Sequence, residues 1–140
     1  MSYQENSISN RWGKEALSMG WTAVPTSLLF LQGTLNMTPV TFNVLLHLLM
    51  HWWNPAEWPH PSQKSISVRM GVSVRTVQRS IKELEIYGLL TINRTSRNNE
   101  KYKGRNIYDL SKLVKNLNIL TPELDEKLNG GNKKIKNKTD

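Results

Sequence analysis

The chain has 140 residues, 38% of them hydrophobic, and 19 Lys and Arg against 11 Asp and Glu give a formal charge of +8. That length suits one compact domain with tails, and the positive surplus favours a polyanionic partner, either nucleic acid or an acidic membrane surface. The absence of cysteine excludes disulfides and Cys-ligated zinc or iron–sulfur sites.

Residues 1–20 are polar and lack an apolar h-region, so they read as a flexible N-terminal segment and not as a signal peptide. Within them, Arg11 to Met19 is the stretch expected to form a short helix. Trp21 to Val24 reads as extended up to Pro25. Thr26 to Leu31 starts a helical turn or two that Gly33 closes. Thr38-Pro39 is a strong helix start, with Thr as N-cap and Pro at the first helical position. That helix is expected to reach about Trp53, its apolar face made of Val40, Val44, Leu45, Leu48 and Leu49. Phe42 to Trp53 is the most apolar run, but it falls well short of the roughly 20 residues a membrane span needs. The protein is therefore expected to be soluble and cytoplasmic, without a membrane partner.

Pro55, Pro59 and Pro61 make the next segment a stiff loop, which Trp52, Trp53 and Trp58 are expected to anchor onto the core. Ser62 caps a helix from Gln63 to Met70, ended by Gly71. Ser73 caps another from Val74 to Tyr87, ended by Gly88. Leu89 to Thr95 and Asn106 to Leu110 alternate apolar and polar residues, as strands do, around a basic loop from Ser96 to Arg105. Ser111 opens a short helix to about Leu117. Thr121-Pro122 starts a separate C-terminal helix within 118–129. The remainder, 130–140, reads as a disordered basic tail, its KKIKNK run either a phosphate-binding arm or a solubilising one.

Three features give the central region a chemistry. Gly71-Val72-Ser73 is a three-residue connection that sets two helices near a right angle, with small Ser67 easing their approach. On the second helix, Val77, Ile81 and Leu84 share one side with Ser80. Arg75, Gln78, Arg79 and Lys82 fall on the other. Arg can bond guanine bidentately and Gln adenine. Ser73 and Thr76 sit at the helix N-terminus, where hydroxyls and free N–H groups suit a phosphate, and Ser62, Gln63 and Lys64 repeat that situation on the preceding helix. Finally, Arg94, Arg97, Lys101, Lys103 and Arg105 crowd the hairpin against the single acid Glu100. From Ser62 to Arg105 there are ten Lys and Arg and three Glu, so +7 of the chain's +8 lies in this third.

These segments, PSQKSISVRMGVSVRTVQRSIKELEIYGLL followed by NIYDLSKLV, resemble the winged helix-turn-helix domain of short bacterial, plasmid and phage proteins. The same domain stands at the front of plasmid replication initiators. WTAVPTSLL and NMTPVTFNVLLHLLMHWW are similar to its lead-in. The resemblance implies a mainly α fold with a small β-hairpin wing over residues 21–117. It places Ser73, Arg75, Thr76, Gln78 and Arg79 at double-stranded DNA. The function expected is sequence-specific DNA binding by a small transcriptional regulator, with a homodimer as the expected assembly. A replication or maintenance protein binding origin DNA, and a protein-interaction module, are the alternatives. His47, His51 and His60 lack the glutamate of a zinc-binding HExxH helix. No phosphate-cradling loop, nucleophile elbow or buried carboxylate pair is present. No metal, cofactor or enzymatic activity is expected.

Overall fold

The computed structural model describes the backbone of residues 3–138 and the side chains of residues 8–130. Its elements run α1 (Tyr3–Trp12), α2 (Thr26–Thr34), α3 (Pro39–Met50), α4 (Gln63–Met70), α5 (Val74–Ile86), β1 (Thr91–Asn93), β2 (Ile107–Asp109) and α6 (Ser111–Lys138). The two strands form an antiparallel hairpin with Ile92 opposite Tyr108. The architecture is mainly helical with a small β-hairpin, as the sequence pattern predicts.

Local chemistry explains most boundaries. Thr38 caps α3 by accepting the Thr41 N–H at 3.2 Å. Ser62 does the same for Ser65 N–H at 3.1 Å, and Ser73 for Thr76 N–H at 3.1 Å. Each cap satisfies a donor that the first helical turn leaves orphaned. Gly71 ends α4 at φ 68°, a left-handed conformation that a Cβ would penalise. The chain then reverses within three residues.

The core gathers Val44, Leu45 and Leu48 of α3, Ile66 of α4, and Val77, Ile81 and Leu84 of α5. Leu89, Leu90, Tyr108 and Leu110 of the hairpin region, Leu113 and Leu117 of α6, and Leu28 and Leu31 of α2 complete it. Inside it lies a polar knot. The Thr41 hydroxyl donates to Glu83 Oε2 at 2.5 Å and stands 3.3 Å from Ser80 Oγ. Thr41 and Ser80 are buried and Glu83 half-buried; leaving the two hydroxyls without partners would be costly, so the knot fixes the register of α5 on α3.

Several expectations are corrected. The N-terminal helix is Tyr3–Trp12, not Arg11–Met19, because Gly13 terminates it at φ 84°. Gly33 lies inside α2, and the reversal after that helix falls to Asn36 at φ 53°. The helix from Thr38 stops at Met50, short of Trp53. Val40 is 42% exposed, its expected core place taken by Thr41 and Phe42. The strands are shorter than the alternation suggests, since Leu89 and Leu90 are both fully buried ahead of β1.

The largest departure is α6. One continuous helix replaces a short helix, a second helix and a disordered tail, and it carries Pro122 in its interior. Proline removes the N–H that would bond the carbonyl four residues back. Packing of Leu113 and Leu117 in the core, with Leu120 against it, holds the axis through that gap. Gly130 and Gly131 weaken a helix without forbidding it. The side chains of Lys133 to Lys138, read as a phosphate-binding or solubilising arm, lie outside the described residues.

These assignments separate Leu84 and Val40, two aliphatic side chains of similar chemistry. Leu84→Ala is expected to lower unfolding free energy by about 2–5 kcal/mol in urea titration. Val40→Ala should change it by under about 1 kcal/mol, since its side chain is already half in water.

Candidate nucleic-acid interface

The outer face of α5 follows from its inner one. With Val77, Ser80, Ile81 and Leu84 buried, the helical period turns Arg75, Gln78, Arg79 and Lys82 to solvent. Arg75 and Arg79 enter no salt bridge among the described residues. Lys82 differs: its Nζ is 2.8 Å from Glu85 Oε1. That bond, chiefly, holds the Glu85 carboxyl below its ordinary range. The open cationic surface of α5 is thus its first two turns.

Ser73 and Thr76 stand at the head of this helix, but their hydroxyls are engaged with each other at 3.0 Å. Ser73 is exposed and Thr76 partly so. Hydroxyl oxygens have more than one lone pair, so capping leaves acceptor capacity but ties up rotation. Ser62 shows the same pattern at α4, donating to Ser65 Oγ at 2.9 Å. Beside it, Gln63 is half-buried, its Nε2 directed at the Tyr108 hydroxyl at 3.5 Å, while Lys64 is exposed.

The hairpin joins this surface at the start of α4. Ser62 and Gln63 line a cleft of about 260 Å³ together with Lys103, Gly104 and Arg105 of the loop. The junction is held by the Tyr108 N–H donating to Pro59 O at 2.9 Å. Within the loop, Asn99 Oδ1 accepts from the N–H groups of Lys101 and Tyr102, and Thr95 Oγ1 donates to Arg105 O. Lys103 itself adopts φ 51° and Gly104 φ 83°. A substituent at Gly104 would also press on Arg97, whose Cγ would lie 3.3 Å from the added Cβ. Arg94, Arg97, Lys103 and Arg105 are all exposed.

Lys101 is the exception among the hairpin cations. Its ammonium sits 3.0 Å from Glu57 Oε1 in the proline-rich loop and 5.2 Å from the Tyr102 ring centre. The hydrogen bond to Glu57 is the main cause that raises the Lys101 pKa, and reciprocally lowers that of Glu57. Lys101 therefore straps the hairpin to residues 54–61.

A second group escaped the sequence reading. Arg69, at the last turn of α4, donates to His51 Nε2 at 2.5 Å, and His51 stacks on Trp53 at 6.2 Å. With Arg105, Trp58 and Ser62 they border a cleft of about 500 Å³ along α4. Trp52 and Trp58 pack at 5.2 Å and rest on the core, as an anchor should. Trp53 does not: it is 82% exposed. Only the pairing of a histidine at the end of one helix with an arginine on the next could have signalled this contact, and sequence spacing does not show it.

Burial and then the Arg69 charge lower the pKa of both His47 and His51. The folded state thus prefers neutral imidazole, while the unfolded chain binds protons from about pH 6.5 downward. Stability is retained above that pH and lost as pH falls toward the folded values. Thermal melts from pH 7.5 to 5.5 should show a falling Tm, and His51→Gln should flatten the decline.

Residues 35–90 match the family model described as helix-turn-helix domain. A similar solved structure is titled transcriptional regulator PA3341, at 19% identity and TM-score 0.44, covering 91% of this chain and 80% of that one. No curated protein matches the chain. The matched stretch spans α3, the α4–turn–α5 unit and the approach to β1, so this region is a helix-turn-helix domain, and with the β1–β2 hairpin behind it the architecture is a winged helix-turn-helix.

Proposed function

We propose that the chain is a sequence-specific, non-enzymatic double-stranded DNA-binding protein acting as a small transcriptional regulator. One observation carries the reading: the first two turns of α5 expose Arg75, Gln78 and Arg79 while the opposite face is locked into the core. A helix held this rigidly can enter a major groove with its base-reading groups already aimed. In this mechanism Arg75, Gln78 and Arg79 read base edges. Ser73, Thr76 and the start of α4 (Ser62, Gln63 and Lys64) fix register on phosphates.

Arg94, Arg97, Lys103 and Arg105 add backbone contacts from the wing. Lys101 and Lys82 are assigned minor roles, because each is already paired with a glutamate. No observation on this chain favours origin binding or a purely protein-binding role over this reading. No helix among the described residues is long and apolar enough to cross a membrane.

The division of labour is measurable. Sites selected from genomic fragments are compared with scrambled duplexes by fluorescence anisotropy over a salt series. Arg79→Ala is expected to cost about 1–3 kcal/mol on the selected site and to narrow the gap to scrambled DNA. Lys103→Ala should weaken all duplexes alike and lower the salt slope by about one. Lys101→Ala should do less than Lys103→Ala. Absence of binding by the unaltered protein at low salt contradicts the reading.

A further inference from the structure

The far part of α6 is a helix without enough cover. Among the described residues its last buried side chain is Leu117, and α6 continues to Lys138. At 1.5 Å per residue that is roughly 30 Å of helix beyond the core. Helices in proteins draw most of their stability from packing and not from propensity, and this one contains the poor helix formers Pro122, Gly130 and Gly131. Its stability has to come from packing on one face.

That face is visible. Leu120, Leu124 and Leu128 recur every four residues and, with Phe30 and Thr34 of α2, line an apolar groove of about 270 Å³. Phe30 and Leu128 remain 46% and 49% exposed there. Glu123 and Lys127 border the same groove, and neither enters a salt bridge among the described residues.

We infer that this groove receives α6 of a second copy of the chain, in a two-fold antiparallel pair centred on Leu124. The spacing is self-complementary. A dyad at Leu124 sets Leu120 against Leu128 of the second copy and Leu124 against its own equivalent. Within one residue of the same centre it sets Glu123 against Lys127 of the second copy, twice by symmetry. An isologous interface requires this property, a patch that complements itself when rotated by half a turn. In a parallel two-fold pair each flank of the leucine row would face the opposite flank of the second copy, and Glu123 and Lys127 would not meet. Another protein would need to reproduce both the leucine row and the charge order that this chain already carries. The pairing adds a surface to the DNA-binding reading, since two copies would present two α5 helices to two half-sites. It is nevertheless independent of that reading, because it concerns the protein without DNA.

Sedimentation equilibrium of the full chain, without DNA, tests it between about 1 and 100 μM. The expected mass is twice the 16.1 kDa of one chain. Glu123→Lys and Lys127→Glu, each alone, should weaken association at least about tenfold by opposing like charges. The double exchange should restore it, with helical circular dichroism unchanged throughout. Leu128→Glu should give monomer. A monomeric unaltered protein at 100 μM overturns the inference. So does a double exchange no tighter than either single variant, or a dimer that Leu128→Glu leaves intact.

Discussion

The contact between α3 and α5 governs everything the proposed interface does. α5 has an inner stripe of Val77, Ile81 and Leu84 that could settle on a neighbour in more than one register. The Thr41–Glu83–Ser80 knot removes that freedom, because sliding by one turn would strand the buried hydroxyls of Thr41 and Ser80. Thr38 prepares the knot by capping α3 and holding Thr41 at its first turn. An uncharged hydroxyl near the start of one helix thereby determines where two arginines on another helix point.

The outward parts are built on this base by short local devices. Gly71 and Ser73 set α5 across α4, and the carbonyl of Pro59 receives the Tyr108 N–H so that the hairpin starts from a fixed place. Glu57 then holds Lys101 and brings the hairpin against the proline-rich loop. The cations that remain unpaired on α5 and the loop are fewer than the raw charge suggests. Charge localisation thus matters in two stages: first which third of the chain carries it, then which members of that third are spent on internal pairs.

The helix-turn-helix was legible because its determinants are local. Caps at Ser62 and Ser73, the glycine between them and the 3.6-residue period of α5 act over a few residues, so one sequence shows them. Contacts between distant segments were not legible. Glu83 gave no sign of its contact with Thr41, which depends on a residue 42 positions earlier. Lys101 read as a free cation for the same reason, its partner Glu57 lying in another loop. Trp53 read as an anchor by association with Trp52 and Trp58, but α3 ends too soon to carry it inward. Pro122 read as a helix start, which is its commonest role; packing of α6 on α2 and the core decided otherwise. Arg69 gave no signal, since a lone arginine on a short helix is ordinarily a solvated charge.

The account's central claim is that the exposed first half of α5, the start of α4 and the wing form one surface for duplex DNA. Backbone amide shifts of the 15N-labelled protein, followed during titration with a mixed-sequence duplex at low salt, test it most directly. The account predicts that the largest changes fall at Ser62 to Lys64, at Ser73 to Arg79 and in the loop from Arg94 to Arg105. Changes concentrated instead on α2 and α6, or none at all, would contradict it.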